Sequence, residues 1–163
     1  MHPAAGGWPA WLESTAVAVA MRQWLWLYPI VEIVHIAGFV VLVGAAAMFD
    51  LRLLGLSRAL PVSGLAHHLL PWARASLVLV VPTGLMMFTA HAGEFVTNPA
   101  FQLKLALIAA ALLNAGIFHR WPFRAVHGWD TARPAPTAAR VAAVLSLVLW
   151  TGALACGRLL AYF

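Results

Sequence analysis

Long apolar stretches separated by short polar connections run through most of the chain. Four of them are long enough to cross a bilayer as helices: residues 24–49, 69–92, 100–118 and 141–163. The second has a candidate helical lead-in from Ser63. At about 1.5 Å of rise per residue, about 19 to 26 residues cross a hydrocarbon core of about 30 Å. Membrane strands would show alternating segments of about ten residues, and none are visible. The pattern predicts an all-α integral membrane four-helix bundle, with residues 24–163 as a single transmembrane domain.

A shorter amphipathic stretch precedes the first predicted span. Apolar residues recur there at helical spacing, namely Trp8, Trp11, Leu12, Ala16, Val19 and Ala20. Tryptophan favours the membrane–water interface, so residues 1–23 are expected to form an interfacial segment with a short amphipathic helix. The alternative is a disordered tail. This segment lacks the basic start of a secretory signal, and we expect the first apolar run to remain in the mature protein.

The composition agrees with a membrane protein. Hydrophobic residues make up 63% of the chain and charged residues only 9%, whereas soluble domains usually have about 25% charged residues. The net charge of +5 is spread between the apolar runs, which suits the anionic headgroups of a lipid bilayer better than nucleic acid. Cys156 is the only cysteine, which excludes internal disulfides and cysteine metal clusters.

Arginine-rich connections give the predicted orientation. The first connection has Arg52, Arg58 and Arg74, and the third has Arg120, Arg124, Arg133 and Arg140. The second has no lysine or arginine and contains Glu94. Because positively charged loops remain in the cytoplasm, we expect a multi-pass protein of the bacterial inner membrane with both termini in the periplasm. Nine arginines against one lysine are typical of a GC-rich bacterial genome.

One polar pair is predicted inside the membrane. By helical rise, Glu32 lies about 7 Å and Lys104 about 9 Å to the periplasmic side of their helix midpoints. Ionisable side chains at such depths are costly unless they are paired. The sequence therefore predicts a Glu32–Lys104 pair that faces the bundle interior.

Two histidines form the best-matched pair of candidate haem ligands. By the same count, His68 lies about 16 Å and His119 about 13 Å to the cytoplasmic side of their helix midpoints. Two imidazoles at one level can hold the iron of a haem b between them. Arg74, Arg120 and Arg124 lie nearby and are candidates to bind the propionates, and the alternative is that they only satisfy the positive-inside rule. The alternative is that both histidines are interfacial and have no function.

His35 is a third candidate ligand, without a histidine at its own level. Gly38 one turn later, and then Gly44, would let a flat ligand or another helix approach closely. The alternative is a neutral His35 that is hydrogen-bonded to Glu32 or to a neighbouring helix.

Other metal sites are only weakly indicated. Glu32 and His35 have the spacing used in di-iron bundles, but such sites need a second copy of the motif and two more carboxylates. Met86 and Met87 with His91 would suit copper near the periplasmic surface. Methionines in an apolar helix are usually packing residues.

Three other polar residues have structural interpretations. Asp50 and Arg52 are expected at the headgroup level, where the first span ends. Asn114 is expected to hydrogen-bond across the bundle from the third span.

Several motifs together resemble those of a known family. They are WLEST near the start, LYPIVEIVHIAG followed by DLRLLG, LLPW and PTG in the second span, and NPAFQLKLALIAAALLNAGIFH in the third. These stretches, within residues 11–119, resemble an uncharacterised family of small bacterial four-helix integral membrane proteins, a domain of unknown function. The matching positions are Glu32, His35, Asp50, Asn98, Lys104, Asn114 and His119. The resemblance implies the fold and no activity.

Two looser likenesses point toward redox chemistry. The chain is loosely similar to four-helix b-type cytochromes in size and in its helix histidines. His35 with Lys104 resembles a histidine and an intramembrane lysine of small membrane protoporphyrinogen oxidases, which is an analogy at the level of the fold.

Three functions follow as hypotheses. The first is a haem-binding membrane subunit that transfers electrons between the quinone pool and a periplasmic partner. The second is a non-catalytic anchor or accessory subunit of a larger membrane complex. The third is a small membrane oxidoreductase for a porphyrin or other hydrophobic substrate, with His35 as acid or base and Lys104 steering a carboxylate.

Overall fold

Seven α-helices and two short 3₁₀ helices make up most of the described chain. The computed structural model describes residues 7–131 and 133–162. Its α-helices are α1 (Trp8–Glu13), α2 (Ala16–Gln23), α3 (Leu27–Leu54), α4 (Val62–Ala90), α5 (Ala92–Thr97), α6 (Pro99–Arg120) and α7 (Thr137–Leu159). The 3₁₀ helices are Pro122–Gly128 and Leu160–Tyr162. Helices α3, α4, α6 and α7 are long and apolar enough to cross a membrane, which confirms the predicted all-α four-helix membrane fold.

The four long helices alternate in direction, so their connections lie at two ends of the bundle. The connections 55–61 and 121–136 lie at one end, which we call the arginine-rich end. Helices α1, α2 and α5 lie at the opposite end, where α1 contacts α5 and α2 contacts α4.

All four long helices extend beyond the predicted spans at the arginine-rich end. Helix α3 continues to Leu54 and ends at Gly55, which is left-handed with a φ of 110°. Asp50 and Arg52 therefore lie in the last two turns of the helix and are buried, 6% and 5% exposed. Their position at the headgroup level stays a prediction. Helix α4 begins at Val62, one residue before the helical lead-in that was predicted from Ser63. The apolar pattern did not show the last turn of α3, because Arg52 is polar and its hydrogen-bond partners lie in the two connections.

Helix α6 differs from the predicted span 100–118 by only one or two residues at each end. Helix α7 is displaced toward the N-terminus relative to the predicted span 141–163, whose last residue lies outside the described part of the chain.

Arg52 joins the two connections at the arginine-rich end. Its Nε donates to the carbonyl oxygen of Leu60 (2.6 Å), and its Nη2 donates to the carbonyl oxygens of Arg58 (3.2 Å) and Asp130 (3.0 Å). The Asp130 carboxylate accepts hydrogen bonds from the backbone N–H (2.8 Å) and the hydroxyl (2.6 Å) of Ser63, in the first turn of α4. Burial opposes ionisation of Asp130, but these hydrogen bonds outweigh it and lower the pKa of the carboxyl below its ordinary value of 3.8.

The predicted N-terminal helix consists of two short helices, α1 and α2, that pack on the end of the bundle. Arg22 donates to the carbonyl oxygen of Ala90 (3.0 Å), and the Glu13 carboxylate accepts from the N–H of Gly93 (2.7 Å). Residues 1–6 of the predicted segment lie outside the described residues. The exposed tryptophans of this end are Trp8, Trp11, Trp24 and Trp26, 58–71% exposed, as is typical of side chains at a membrane interface.

Helices α3 and α4 pack closely at Gly38. A Cβ at this position would lie 2.9 Å from Val80 Cγ2 and 3.2 Å from Leu79 Cβ. The expectation that Gly38 admits another helix is confirmed, because the approaching element is α4. A Cβ at Gly44 would meet nothing within 4 Å, so this second glycine is not a point of close approach.

Candidate functional site

A cavity of about 540 Å³ lies between the four long helices, in the half of the bundle nearer the arginine-rich end. Most of its walls are leucine, alanine and aromatic side chains. Five polar or charged side chains also line it: Asp50 from α3, Arg74 from α4, Asn114 and His119 from α6, and Ser146 from α7. Apolar walls with a few convergent polar groups, and a volume of about 300–1,000 Å³, are typical of small-molecule sites. We call this space the central cavity.

Asp50 is the buried acid of the central cavity. Its side chain is 6% exposed, and its Oδ2 has no hydrogen-bond partner among the described residues. Ser146 of α7 lies beside the carboxyl. A buried oxygen without a partner costs about 1–3 kcal/mol. A ligand that donates a hydrogen bond to Oδ2 would remove this cost.

His119 is held between aromatic rings at the cavity wall. Its ring centroid lies 5.2 Å from that of Phe118 and 5.1 Å from that of Phe123, and both contacts are edge to face. The imidazole is half-buried, and no hydrogen bond joins its nitrogens to the described residues. Arg74 lies near enough for its positive charge to act on the imidazole. The imidazole is therefore oriented by packing while its nitrogens remain available to a ligand.

Asn114 links two helices beside the cavity. Its Nδ2 donates to the carbonyl oxygen of Ala142 on α7 (2.9 Å). This confirms the predicted hydrogen bond across the bundle. It also fixes α6 against α7 five residues before His119.

The structure separates the predicted haem ligands. His119 and Arg74 line the central cavity, whereas His68 and Arg120 are exposed and are not part of its wall. The face of α4 that lines the cavity consists of Leu69, Leu70, Ala73, Arg74 and Leu77. Counting residues along the axis predicted that His68 and His119 lie at one level. It did not give the rotation of each helix, which decides which side chains share a cavity.

His35 lies in a separate polar region, in the other half of the bundle. Its Nδ1 is 3.1 Å from the carbonyl oxygen of Val80 and 3.0 Å from the hydroxyl of Thr83, both on α4. Because a carbonyl oxygen only accepts, Nδ1 carries the proton in this arrangement and Nε2 is an acceptor. The expectation that His35 hydrogen-bonds to a neighbouring helix is confirmed. The ring packs tightly on Gly84, where a Cβ would lie 3.0 Å from Cε1.

Glu32 and Lys104 do not form an ion pair in the described part of the chain. Glu32 is exposed, whereas Lys104 is partly buried with its Nζ 3.4 Å from the position that a Cβ on Gly157 of α7 would take. The charges of both residues act on His35. The structure thus brings Lys104 to α7 and to the region of His35, and it leaves Glu32 at the bundle surface.

The described residues contain no group of three or more histidine, cysteine, aspartate or glutamate side chains that could hold a metal ion. Met86 and Met87 pack against the buried side chains Met21, Val31 and Ala90. These two methionines therefore have the packing role that was the alternative to a copper site.

The family of the chain follows from its match to a family model. That model covers residues 10–163 and is described as a family of unknown function, DUF6644. The chain belongs to DUF6644. The predicted membership of an uncharacterised family is confirmed, and the match extends over the fourth long helix as well. Neither a curated protein nor a solved structure matches this DUF6644 chain.

Three polar residues of the central cavity were not predicted as site residues: Asp50, Ser146 and Asn114, of which only Asn114 had a predicted hydrogen bond across the bundle. Asp50 was assigned to a helix end, although it follows Leu42 and Ala46 at intervals of four residues and so shares their helical face. That spacing could have identified it. Ser146 is a single hydroxyl in an apolar run, and the sequence contains no signal that would single it out.

Proposed function

We propose that the chain is a haem-binding membrane subunit that transfers electrons, with the central cavity as the haem site. The observation that supports this best is a cavity of about 540 Å³ with apolar walls and one oriented, half-buried imidazole. His119 would hold the iron and Arg74 would bind a propionate, since both line the cavity. Bound haem b would supply one-electron transfer.

This proposal gives the haem iron one protein ligand, whereas the sequence predicted a pair of histidine ligands. Among the described residues that line the central cavity, His119 is the only histidine. His68 projects from another face of α4 and is exposed. We therefore propose ligation by one imidazole, which predicts a high-spin spectrum rather than the low-spin spectrum of a bis-histidine haem.

The test is the visible spectrum of the full chain purified from haem-replete cells. We expect a Soret band that is lost in His119→Ala and retained in His68→Ala, the matched control on the facing helix. Equal loss of the Soret band in both variants would instead support ligation by both His68 and His119. A colourless wild-type protein would refute haem binding, and its co-purification with fixed partner subunits would favour the accessory-subunit hypothesis.

A quinone is the second candidate ligand of the central cavity, and the unpaired Oδ2 of Asp50 supports it. The unpaired Oδ2 could accept a hydrogen bond from a quinol hydroxyl, and Ser146 and Arg74 offer donors for the quinone oxygens. Photoaffinity labelling with a quinone analogue tests this. Labelled peptides from α3 and α7, with labelling lost in Asp50→Leu, would support it, and labelling elsewhere would contradict it.

The cellular setting that we propose is the bacterial inner membrane, with both termini in the periplasm and electrons passing between the quinone pool and a periplasmic partner. It is supported by the four membrane-length helices and by the arginine-rich connections at one end. Reporter fusions at the two termini and in the connection 121–136 test the orientation. Cytoplasmic activity of both terminal fusions would show the opposite orientation.

A porphyrin oxidoreductase centred on His35 is the third candidate. It is supported by the Nε2 acceptor of His35 and by the nearby charge of Lys104. Turnover of an added porphyrinogen that is abolished by Lys104→Ala would favour it over the haem subunit, and absence of turnover in the wild-type chain would remove it.

A further inference from the structure

Four arginines surround a small pocket at the arginine-rich end of the bundle, apart from the central cavity. The pocket has a volume of about 160 Å³ and lies between the end of α3, the start of α7 and the connection 121–136. The arginines are Arg52, Arg58, Arg133 and Arg140. None of the described residues that line the pocket is acidic. We call it the arginine pocket.

The guanidinium of Arg52 is fixed at the floor of this pocket. Its Nε and Nη2 donate to three backbone carbonyl oxygens, and the side chain is 5% exposed. Its Nη1 has no hydrogen-bond partner among the described residues. A planar guanidinium that is already held in place loses little conformational freedom when its remaining donors bind an anion.

Gly55 makes room for the second arginine. A Cβ at this left-handed residue would lie 3.1 Å from Arg58 Nη2 and 3.3 Å from its Nε. Any larger side chain would displace the Arg58 guanidinium. The turn that ends α3 therefore also positions a donor beside the pocket.

The start of α7 adds a further positive potential. This helix begins at Thr137 without a side-chain cap and without an acidic residue in its first turn, and Arg140 follows near its start. A helix N-terminus already carries a partial positive charge, so a cation beside it is unfavourable unless an anion is present.

No carboxylate of the described residues neutralises this group of charges. None of the four arginines forms an ion pair there. The two nearest acids along the chain are engaged elsewhere. Both carboxylate oxygens of Asp130 accept hydrogen bonds from Ser63, and Asp50 lines the central cavity. The positive charge of the pocket is thus available to an external anion.

We propose that the arginine pocket binds one phosphate group, carried by an anionic phospholipid or present as free phosphate. Guanidinium groups match phosphate oxygens in geometry and charge. The pocket is smaller than the usual lower limit of about 300 Å³ for cofactor sites, so it suits one compact anion. Its place where two membrane-length helices end is also where phospholipid headgroups lie.

Two binding measurements on the full chain separate the two sources. The first is titration of inorganic phosphate into the protein in nanodiscs of phosphatidylcholine, followed by calorimetry. The second is native mass spectrometry after reconstitution with equal amounts of phosphatidylglycerol and phosphatidylcholine. Retained phosphatidylglycerol without phosphate binding supports a lipid headgroup, and phosphate binding without lipid preference supports free phosphate. Binding of neither overturns the proposal.

Exposed arginines give variants that test the pocket without disturbing the buried Arg52. We expect Arg58→Gln and Arg140→Gln each to weaken binding by about tenfold, since each removes a charge-assisted hydrogen bond. The matched control is Arg124→Gln, which removes one exposed positive charge at the same end but does not line the pocket. Circular dichroism and the elution volume verify the fold. Equal effects of all three substitutions would show a diffuse charge effect and overturn the site.

Discussion

The unpaired oxygen of Asp50 predicts that removing this acid stabilises the ligand-free protein. In Asp50→Leu, the buried Oδ2 without a partner among the described residues is replaced by methyl groups beside the apolar walls of the central cavity. A buried unsatisfied polar atom costs about 1–3 kcal/mol. For a chain of this length, each kcal/mol changes the melting temperature by about 2–4 °C. We therefore expect a melting temperature that is higher by about 2–12 °C.

The same substitution at the other aspartate provides a control of opposite sign. The Asp130 carboxylate accepts two hydrogen bonds from Ser63 at the start of α4. Loss of such a helix-capping interaction costs about 0.5–2 kcal/mol, so Asp130→Leu should lower the melting temperature. Thermal unfolding of both variants in one detergent, followed by circular dichroism, compares them directly.

The sign of the effect at Asp50 decides the interpretation. A melting temperature that falls in Asp50→Leu as it does in Asp130→Leu would show that the protein itself satisfies the Asp50 carboxyl. The central cavity would then lose its main argument for a ligand with a hydrogen-bond donor. A rise in stability together with lost quinone labelling would show that the acid is retained for binding.

Three further predictions concern the packing and the arginine-rich end. Gly38→Val should lower the free energy of unfolding by about 1–3 kcal/mol through overpacking, as measured by thermal unfolding. The control Gly44→Val, where a Cβ meets nothing within 4 Å, should change it by no more than about 0.5 kcal/mol. Equal effects of the two substitutions would contradict the close helix contact at Gly38. Arg52→Ala removes the donor of three backbone carbonyl oxygens and should lower the free energy of unfolding by at least about 3 kcal/mol. The control Arg124→Ala, at an exposed residue, should change it little. Proteolysis of the connections should be faster in Arg52→Ala and unchanged in Arg124→Ala. Because the pKa of Asp130 is lowered from 3.8, its hydrogen bonds stabilise the fold above that pH and are lost as the pH falls through the lowered pKa. The melting temperature of Asp130→Asn should therefore lie below that of the wild type at neutral pH and converge with it in strong acid, and a constant difference would refute the linkage.

The candidate site was predictable from the sequence only in part. His119 and Arg74 were identified because ionisable side chains stand out in apolar helices. The partnership of His119 with His68, and of Glu32 with Lys104, was inferred from depth along the helix axes. Depth follows from counting residues, whereas the direction of a side chain depends on how each helix is rotated within the bundle. For this reason the structure brings His119 and Arg74 to one cavity and leaves His68 outside it.

The fold class follows from the apolar pattern alone, because runs of about 20 apolar residues without internal turns can satisfy their backbone in a bilayer only as helices. The sequence also shows which end of the bundle carries the arginines. The burial of Asp50 and Arg52, in contrast, could be seen only in the packed bundle. It depends on Ser146 and on the connection that contains Asp130, and both are distant along the chain. Contacts between residues so far apart leave no periodic signal in the apolar pattern, and they form only when the helices pack.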